Sequence, residues 1–391
     1  MPTAMLRISS TFATVCLALN VLLGTALAQG PRTTSYTQEF EDAKTVVLLA
    51  ETKPAAANRV VNDRGVVEVT RFVVAEILKG DKYKVGDLIH KPGFAAEAED
   101  AKYWCSEGTR NNPFPVAISP VAIEYVRSLP KLPKGRTERL AFFLEHLKSP
   151  SEWVVTEALI ELDLASPKEL AEIKPKLNRG LIVSRLKEAR KLDVNATTVY
   201  LRLLAFCGTI DDLPLLEKML ADEATSKSVL GQRVFVTEVV LRGAAGFDRL
   251  DQRLDDLNLK NEFKFSKELL NVIGAFHDLC QYTPTVSRER LIRSLTRMLD
   301  TPLLAEYAIA DLTQLEDWDS MDRLAKLFDA PKFCDDGIVR MMILKYFLAC
   351  PKPEAKRYLQ DLKKLAPALY KRAVEIHEAM EAERAKLSSE K

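Results

Sequence analysis

Glycine and histidine are scarce in this sequence, which has 15 glycines and four histidines in 391 residues. Loops that bind phosphates or dinucleotides need glycines at fixed spacing, and neither a phosphate loop nor a Gly-x-Gly-x-x-Gly motif occurs. The hydrolase motifs Gly-x-Ser-x-Gly and His-Glu-x-x-His are absent as well. We therefore expect no cofactor, and we assign no catalytic and no metal-binding residues.

Cysteine is also sparse, and five cysteines remain once the leading segment described next is set aside. Five is odd and too few for a disulfide framework in an exported chain of this length. A helix predicted over Gly337 to Ala349 would separate Cys334 from Cys350 by about 20 Å, whereas a disulfide needs Cα atoms within about 7 Å. A bond between Cys207 and Cys280 stays open.

Residues 1–28 have the features of a secretory signal peptide. Arg7 is the only charged residue, Ile8 to Leu27 is mostly apolar, and Ala26-Leu27-Ala28 has the small-x-small form of a cleavage site. The polar residue Asn20 weakens the run as a permanent membrane anchor. We predict cleavage between Ala28 and Gln29, export to a periplasmic or extracellular location, and no stable membrane span after signal removal.

The mature chain is nearly neutral, with 55 basic and 55 acidic residues once Arg7 is removed. A net charge near zero gives no general reason to expect nucleic acid or an anionic membrane as a partner. The apolar fraction of 47% and the charged fraction of 28% are ordinary for a globular protein. The length suits two or three domains.

Residues 38–129 show patterns typical of strands. Thr45 to Ala50 is a short apolar run, Val67 to Val74 is rich in β-branched residues, and Lys84 to His90 follows after a turn. Gly80 ends the second of these runs. Together they predict a small, mostly antiparallel β domain. We expect Tyr103-Trp104-Cys105 to lie in a loop after the last of these runs.

The stretch from Phe40 to Lys91 resembles the five-stranded barrel of OB folds and netrin-like or tissue-inhibitor-like modules. Its apolar first strand precedes Val66 to Asp81, which reads Val-Val-Glu-Val-Thr-Arg-Phe-Val-Val-Ala-Glu-Ile-Leu-Lys-Gly-Asp, and a Gly-Asp-Leu-Ile strand follows. The resemblance implies a β-barrel-like domain. OB barrels bind single-stranded nucleic acid with stacked aromatics in a basic groove. Phe72 is the main aromatic here and no basic run accompanies it, so we expect no nucleic-acid partner.

From residue 137 to residue 386 the apolar positions recur at helical spacing. Pro130 and Pro133 mark residues 130–136 as a linker before this region. Leu295 to Ala330 is its clearest part. There Thr301-Pro302 has the form of a helix cap followed by a first-turn proline, and Asp317-Trp318-Asp319 interrupts the pattern. This stretch predicts a helix, a turn and a second helix.

The same break recurs along the chain, at Leu144 to Pro150, Leu216 to Asp222, Leu295 to Pro302 and Leu324 to Pro331. These segments resemble HEAT repeats, and the resemblance implies an all-α solenoid whose stacked helix pairs bury one another's apolar faces. The fold class we predict is a multidomain α+β chain, with a small antiparallel β-barrel-like domain followed by an all-α HEAT-like solenoid. Taken whole, it resembles exported bacterial proteins of that architecture.

Two histidines have neighbouring side chains that suit metal binding or acid–base catalysis. His277 and Cys280 share a helical face and would form half of a zinc site, although no second ligand pair accompanies them. His146 lies near Glu145 and Glu157 and would suit general acid–base catalysis, but the sequence offers no nucleophile beside it. A structural role is the simpler interpretation of both.

Two sets of residues are candidates for binding a partner. Tyr103 and Trp104 would serve as an aromatic anchor or fill a seam between domains. A second set forms one basic stripe if the helix there continues across Pro367, or else an ordinary solvated face: Lys356, Lys363, Lys364 and Lys371.

The pattern as a whole favours an exported, non-catalytic interaction or scaffold module that binds a protein or peptide on a helical-repeat surface. A first alternative is an extracytoplasmic enzyme, a hydrolase or lyase, with its site at the seam between the β domain and the solenoid around His90, Tyr103 and Cys105. A second is a structural protein of envelope assembly.

Overall fold

The computed structural model describes residues 35–51, 58–62, 65–92, 102–108, 115–189, 192–260, 266–282, 286–331 and 337–389. These residues form two compact units, one that ends at Leu181 and one that starts at Ile182. The predicted signal peptide and its cleavage site at Ala28 and Gln29 lie outside the described residues, as does Cys334. The predicted linker contains a 3-10 turn at Leu129–Lys131, and the helices just beyond it belong to the N-terminal unit. The domain bounds taken from the sequence stay a prediction.

The N-terminal unit contains an antiparallel sheet. Its strands are β1 Thr45–Glu51, β2 Asn58–Asn62, β3 Gly65–Lys79, β4 Leu88–Pro92, β5 Lys102–Glu107 and β6 Val116–Ile118. The order is β2-β3-β1-β5-β6, and β4 pairs with β3. The long β3 bonds β2 through its first residues, Gly65 to Val69, and β1 through its last, Phe72 to Lys79. The α+β fold class is therefore confirmed at this level.

The predicted barrel is not confirmed. In the part of the chain that the structure describes, no ladder joins β4 to β6, so the sheet stays open. The ladder between β1 and β3 is irregular at Val46/Val47 and at Leu48/Leu49, and such irregularities bend a strand. Gly80 ends β3 as predicted. Its φ is +86°, and a Cβ there would lie 2.5 Å from the Lys44 carbonyl oxygen, so only glycine fits this turn.

The prediction that Tyr103-Trp104-Cys105 forms a loop is wrong, because these residues are the centre of β5 and pair with β1. Both faces of β5 are covered, since Tyr103 through Ser106 are all buried. A strand that is buried on both sides has no alternation of apolar and polar residues. That is why periodicity did not reveal it.

Helices accompany the sheet within the N-terminal unit. They are α1 Tyr36–Asp42, α2 Pro120–Ser128, α3 Arg136–His146, α4 Glu152–Asp163, α5 Pro167–Glu172 and α6 Arg179–Lys187, whose last residues belong to the second unit. Ser119 caps α2 by accepting a hydrogen bond from the Ala122 N–H at 3.3 Å. Helices α3 and α4 pack together as a pair.

The second unit is helical throughout its described residues. Its helices are α7 Val194–Cys207, α8 Leu213–Ala221, α9 Glu223–Ser226, α10 Val229–Arg242, α11 Ala244–Lys260, α12 Lys267–Leu279, α13 Arg288–Met298, α14 Pro302–Gln314, α15 Met321–Phe328, α16 Gly337–Ala349, α17 Pro353–Leu365 and α18 Pro367–Ser389. Thr301 is the residue that caps α14, and Pro302 begins that helix. Both this boundary and the break at Asp317 to Asp319 agree with the prediction.

These helices pack in two rows. The first row is the series α7, α10, α12, α14, α16 and α18, in which each helix packs on the next. The second row is formed by α8, α11, α13, α15 and α17, and each of these packs against the first row. Neighbouring helices in the series thus pack against one another, an arrangement compatible with a helical solenoid.

Three further expectations concern single segments. Helix α17 ends at Leu365 and α18 begins at Pro367, because Ala366 leaves the helical region with φ −143° and ψ 70°. The helix therefore does not continue across Pro367. No disulfide links the cysteines that the structure describes, so Cys207 and Cys280 are not bridged. Within the described ranges, no helix is both long enough and apolar enough to span a bilayer.

Candidate functional site

A buried polar cluster holds the first helix of the N-terminal unit in place. Ser35 Oγ donates a hydrogen bond to Glu161 Oε1 at 2.5 Å, and the Tyr36 N–H donates to Glu157 Oε2 at 2.6 Å. Arg139 Nη2 donates to the other oxygen of Glu161 at 3.3 Å. Both glutamates are buried on α4. Buried carboxylates need such partners, and here Ser35 and the Tyr36 N–H, at the start of α1, supply them.

His146 is part of an aromatic cluster. Its Nδ1 lies 2.8 Å from the Phe142 carbonyl oxygen, and its ring is 5.1 Å from that of Tyr125. Glu145, its sequence neighbour, pairs instead with Lys148 at 2.7 Å. The structure thus gives His146 a packing role, in line with the simpler interpretation.

A second polar cluster surrounds Glu107 at the end of β5. Lys82 donates to Glu107 Oε2, and Lys91 and Tyr83 donate to Oε1 at 2.5 and 2.8 Å. Burial alone would raise the pKa of Glu107, but these three hydrogen bonds outweigh it and lower the pKa to about 2. The carboxylate therefore joins β5 to β4 and to the loop before β4, a connection that no ladder among the described strands makes.

The residues proposed for an enzyme site do not share a surface. His90 is exposed on β4, whereas Tyr103 and Cys105 lie in the apolar core of the sheet. Burial raises the pKa of the Cys105 thiol, which disfavours the thiolate needed for nucleophilic attack. Trp104 points to the other face, where its ring lies 5.4 Å from that of Tyr36. Tyr103 and Trp104 are 2% and 1% exposed, so both rings contact the protein's own interior.

The four lysines of the predicted stripe are exposed but lie on two separate helices. Lys363 Nζ is 5.5 Å from the centre of the Tyr370 ring on α18, and Lys364 pairs with Asp361 at 2.9 Å. The stripe is interrupted at Ala366, where the helix ends. The solvated-face interpretation accounts for all four: Lys356, Lys363, Lys364 and Lys371.

His277 pairs with a carboxylate on the next helix of the first row. Its Nδ1 lies 2.6 Å from Asp311 Oδ1, which joins α12 to α14. The hydrogen bond raises the pKa of His277 above its ordinary value, and burial raises the pKa of Asp311. Cys280 does not join this pair, since its Sγ donates a hydrogen bond to the Phe276 carbonyl oxygen at 3.4 Å. Among the described residues, no three side chains of His, Cys, Asp or Glu are placed to hold one metal ion.

Apolar side chains recur at the first turns of the first-row helices. Val194 begins α7, Val229 begins α10, and Leu270 is in the first turn of α12; they are 45%, 39% and 38% exposed. Each of α7, α10, α12, α14 and α16 is followed along the chain by a helix of the second row, so these three residues stand at equivalent positions, the N-terminal turns of first-row helices. We call Val194, Val229 and Leu270 the apolar edge. Leu303 and Ile338 extend it, half-buried, on α14 and α16.

A cleft of about 290 Å³ lies between α8, α10 and α11. Gly246 sets its width, because a Cβ there would lie 2.6 Å from Val239 Cα and would push α11 away from α10. Charged side chains form its rim, and the apolar part of its lining is supplied by Leu220, Ala221, Phe235, Val239 and Leu250.

Two arginines bridge the rim of this cleft. Glu217 Oε1 accepts hydrogen bonds from Arg242 at 2.8 Å and from Arg249 at 3.0 Å. The buried Glu238 accepts from Arg242 at 2.8 Å and lies 3.2 Å from Arg249 Nε. The sequence did not single out these residues, because partners 25 and 32 positions apart meet only after the helices pack. The Glu238–Arg242 spacing of one helical turn was the only local signal.

Comparison with known proteins adds no functional assignment to this geometry: no family and no curated protein matches this chain.

Proposed function

We propose that this protein is an exported, non-catalytic scaffold that binds a peptide segment of a partner protein on the first row of its helical unit. The helical unit is proposed to be a HEAT-like solenoid, and the sheet to be a relative of OB and netrin-like modules. Two rows of mutually covering helices and the capped proline corner at Thr301 support the first assignment. The long β3, paired on both edges, supports the second.

The observation that carries the binding proposal is the apolar edge. Single exposed apolar residues are common on protein surfaces, but contiguous ones mark interaction sites. Here three consecutive first-row helices each place one such residue in the first turn, where a polar residue would cost nothing. A partner that covers them would remove apolar surface from water at three points in register with the helices.

The spacing of the edge indicates the form of the bound segment. Packed helices lie about 8–10 Å apart. A polyproline II segment repeats its side-chain direction every three residues, or about every 9 Å. An extended segment of this form, with an apolar residue at every third position, would therefore place one side chain beside each of Val194, Val229 and Leu270.

The test is capture of partners from the exported fraction by the purified protein and by two variants. The edge variant carries Val194→Gln, Val229→Gln and Leu270→Gln. Its matched control carries Ile210→Gln, Leu365→Gln and Met380→Gln, three other exposed apolar residues of the same unit. Because all six side chains are exposed, both variants should fold.

We expect one protein to be captured by the native chain and by the control variant but not by the edge variant. Equal capture by both variants would overturn the proposed surface. If the captured protein were a second copy of the chain, measured as a dimer by sedimentation, then self-assembly would replace partner binding as the function.

A further inference from the structure

The cleft between α8, α10 and α11 combines an apolar floor with a charged rim that is formed by Glu217, Glu238, Arg249 and Arg253. Arg249 and Arg253 lie one helical turn apart on α11, and both line the cleft. Their side chains are 49% and 46% exposed. Two cationic groups thus border the same space as Phe235 and Leu250.

These guanidinium groups have few partners for their donors. Among the described residues, Arg249 donates one hydrogen bond, to Glu217, and approaches Glu238 at 3.2 Å. Within the described part of the chain, Arg253 makes one ion pair, with Glu268 at 3.5 Å, which is long for a hydrogen bond. A guanidinium has several N–H donors in a fork that matches a carboxylate. Among the described residues, these acceptors account for only part of the donors that the two guanidinium groups carry.

We infer that this cleft binds the carboxyl-terminal residue of a partner peptide when that residue is apolar. The inference rests on the proposed function and names a second point of contact for the partner. The terminal carboxylate would pair with Arg253 and Arg249, and the last side chain would lie on the floor formed by Phe235, Val239 and Leu250.

Geometry favours a chain end over an internal acidic residue. A cleft of about 290 Å³ has room for about one large side chain with its carboxylate. At a chain end, the carboxylate and the side chain share one Cα and can enter one cleft together. An internal acidic residue carries its carboxylate on another Cα, whose side chain leaves an extended backbone in a different direction.

The test uses a fluorescein-labelled pentapeptide, Gly-Ser-Gly-Ser-Phe, and the same peptide with a carboxamide end. Binding to the purified full chain is measured by fluorescence anisotropy. A charge-assisted pair contributes enough that we expect the acid to bind at least about tenfold more tightly than the amide.

Three variants locate the binding. Arg253→Gln removes the guanidinium group whose one ion pair among the described residues is long. Ala221→Trp fills the cleft from an exposed position. Arg357→Gln removes an exposed arginine of α17 and is the control. We expect about fivefold or greater weakening with Arg253→Gln, loss of binding with Ala221→Trp, and no change with Arg357→Gln. Equal affinity for acid and amide, no binding of the acid, or binding insensitive to Ala221→Trp would overturn the inference.

The edge variant separates this inference from the proposed function. The pentapeptide spans the cleft alone, so the edge variant should bind it as the native chain does. If partner capture depends on the apolar edge while the peptide does not bind, the cleft assignment fails and the proposed function stands. If the peptide binds in an Arg253-dependent way while the edge variant captures the partner as the native chain does, the cleft binds carboxyl ends but the proposed surface is wrong.

Discussion

Buried carboxylates in this protein are held by specific donors. Asp311 is buried and meets a half-exposed histidine, while Glu107 receives two lysines and a tyrosine. Burying a carboxylate without such partners costs several kcal/mol, which is on the order of the net free energy of unfolding of a whole domain. The charge states of these groups should therefore depend on their partners in measurable ways.

Replacing Asp311 by Asn should lower the pKa of His277. The native hydrogen bond to Asp311 raises that pKa above 6.5, and an uncharged amide cannot favour the imidazolium in the same way. The pKa is measured by NMR titration of the imidazole protons, with His277→Gln used to assign the signal. An unchanged pKa of His277 in the variant would contradict the expectation.

The same pair should make stability depend on pH. Because the folded pKa of His277 is raised, its contribution is fully present below the unfolded value of 6.5 and is lost as the pH rises through the raised value. Thermal unfolding between pH 5 and 9 should show this loss in the native chain. Asp311→Asn should remove that slope.

Glu107→Gln should destabilise the N-terminal unit at neutral pH, by about 1–3 kcal/mol, because two lysines lose their shared acceptor. The folded pKa of Glu107 is lowered from 4.5 to about 2. Its stabilisation is therefore present above pH 4.5 and is lost as the pH falls towards 2. The melting temperatures of native chain and variant should differ at pH 7 and approach each other below pH 4.5.

The matched control for this change is Glu124→Gln, which removes a carboxylate that is 75% exposed and pairs with Arg127. Exposed ion pairs contribute little. Its melting temperature should stay close to that of the native chain across the same pH range. An equal loss in both variants would show that the Glu107 cluster has no special role.

At the scale of single elements, close approach between helices depends on residues without side chains. Gly243 makes the turn from α10 into α11 with φ +62°, and Gly246 lets the two helices approach. Gly337 begins α16 in open space, where a Cβ would meet nothing within 4 Å. Comparing substitutions at Gly246 and Gly337 therefore separates the effect of packing on stability from the effect of backbone freedom.

Gly246→Ala should destabilise the helical unit by about 1–3 kcal/mol, because the new Cβ would overlap Val239 and force α11 outward. Gly337→Ala should be neutral or stabilising by up to about 1 kcal/mol. Urea unfolding followed by circular dichroism measures both. Similar effects from the two substitutions would mean that the contact at Gly246 has relaxed without cost.

The sequence predicted those helix and strand ends that are determined by a few neighbouring residues. Thr301-Pro302 marked a helix start, and Gly80 marked a strand end, because capping and positive φ act within a few residues. The break at Ala366 is of the same kind, since a residue before proline avoids the helical region. It was readable from Pro367, so the condition on which a continuous lysine stripe depended is not met.

Other features depend on contacts that no short window contains. Tyr103 and Trp104 lie on a strand covered on both faces, which removes the period of two that would reveal it. The charged cleft needs Arg249 of α11 to reach Glu217 of α8, and the apolar edge needs the helices to be ordered in a row. Their candidate residues therefore became visible only after the packing was known.

At the scale of the molecule, a row of helices distributes stability locally. Each helix of the second unit packs against its neighbours in the series, and stability in such arrays is close to a sum over neighbouring interfaces. A defect in one helix should therefore loosen the adjacent helices more than distant ones. The sheet, which belongs to the other compact unit, should respond least.

Leu295→Ala tests this locality. Leu295 is fully buried on α13, and its loss should cost about 2–5 kcal/mol. Hydrogen exchange should become faster in α12 to α15, while amides of β1 and β3 keep their protection. Uniformly faster exchange throughout the chain would show that the whole molecule unfolds as a single cooperative body.

The second row is tied together by charge as well as by apolar contact. Arg290 reaches Asp248 and Asp251, and Arg297 reaches Asp251 and Asp255, which joins α13 to α11 just as Arg249 joins α11 to α8. Salt weakens the attraction between exposed charges, with a screening length of about 10 Å at 0.1 M, but it leaves buried apolar packing nearly untouched. Because exposed ion pairs join α8 to α11, the access of a ligand to the space between these two helices would vary with the salt concentration of the surroundings.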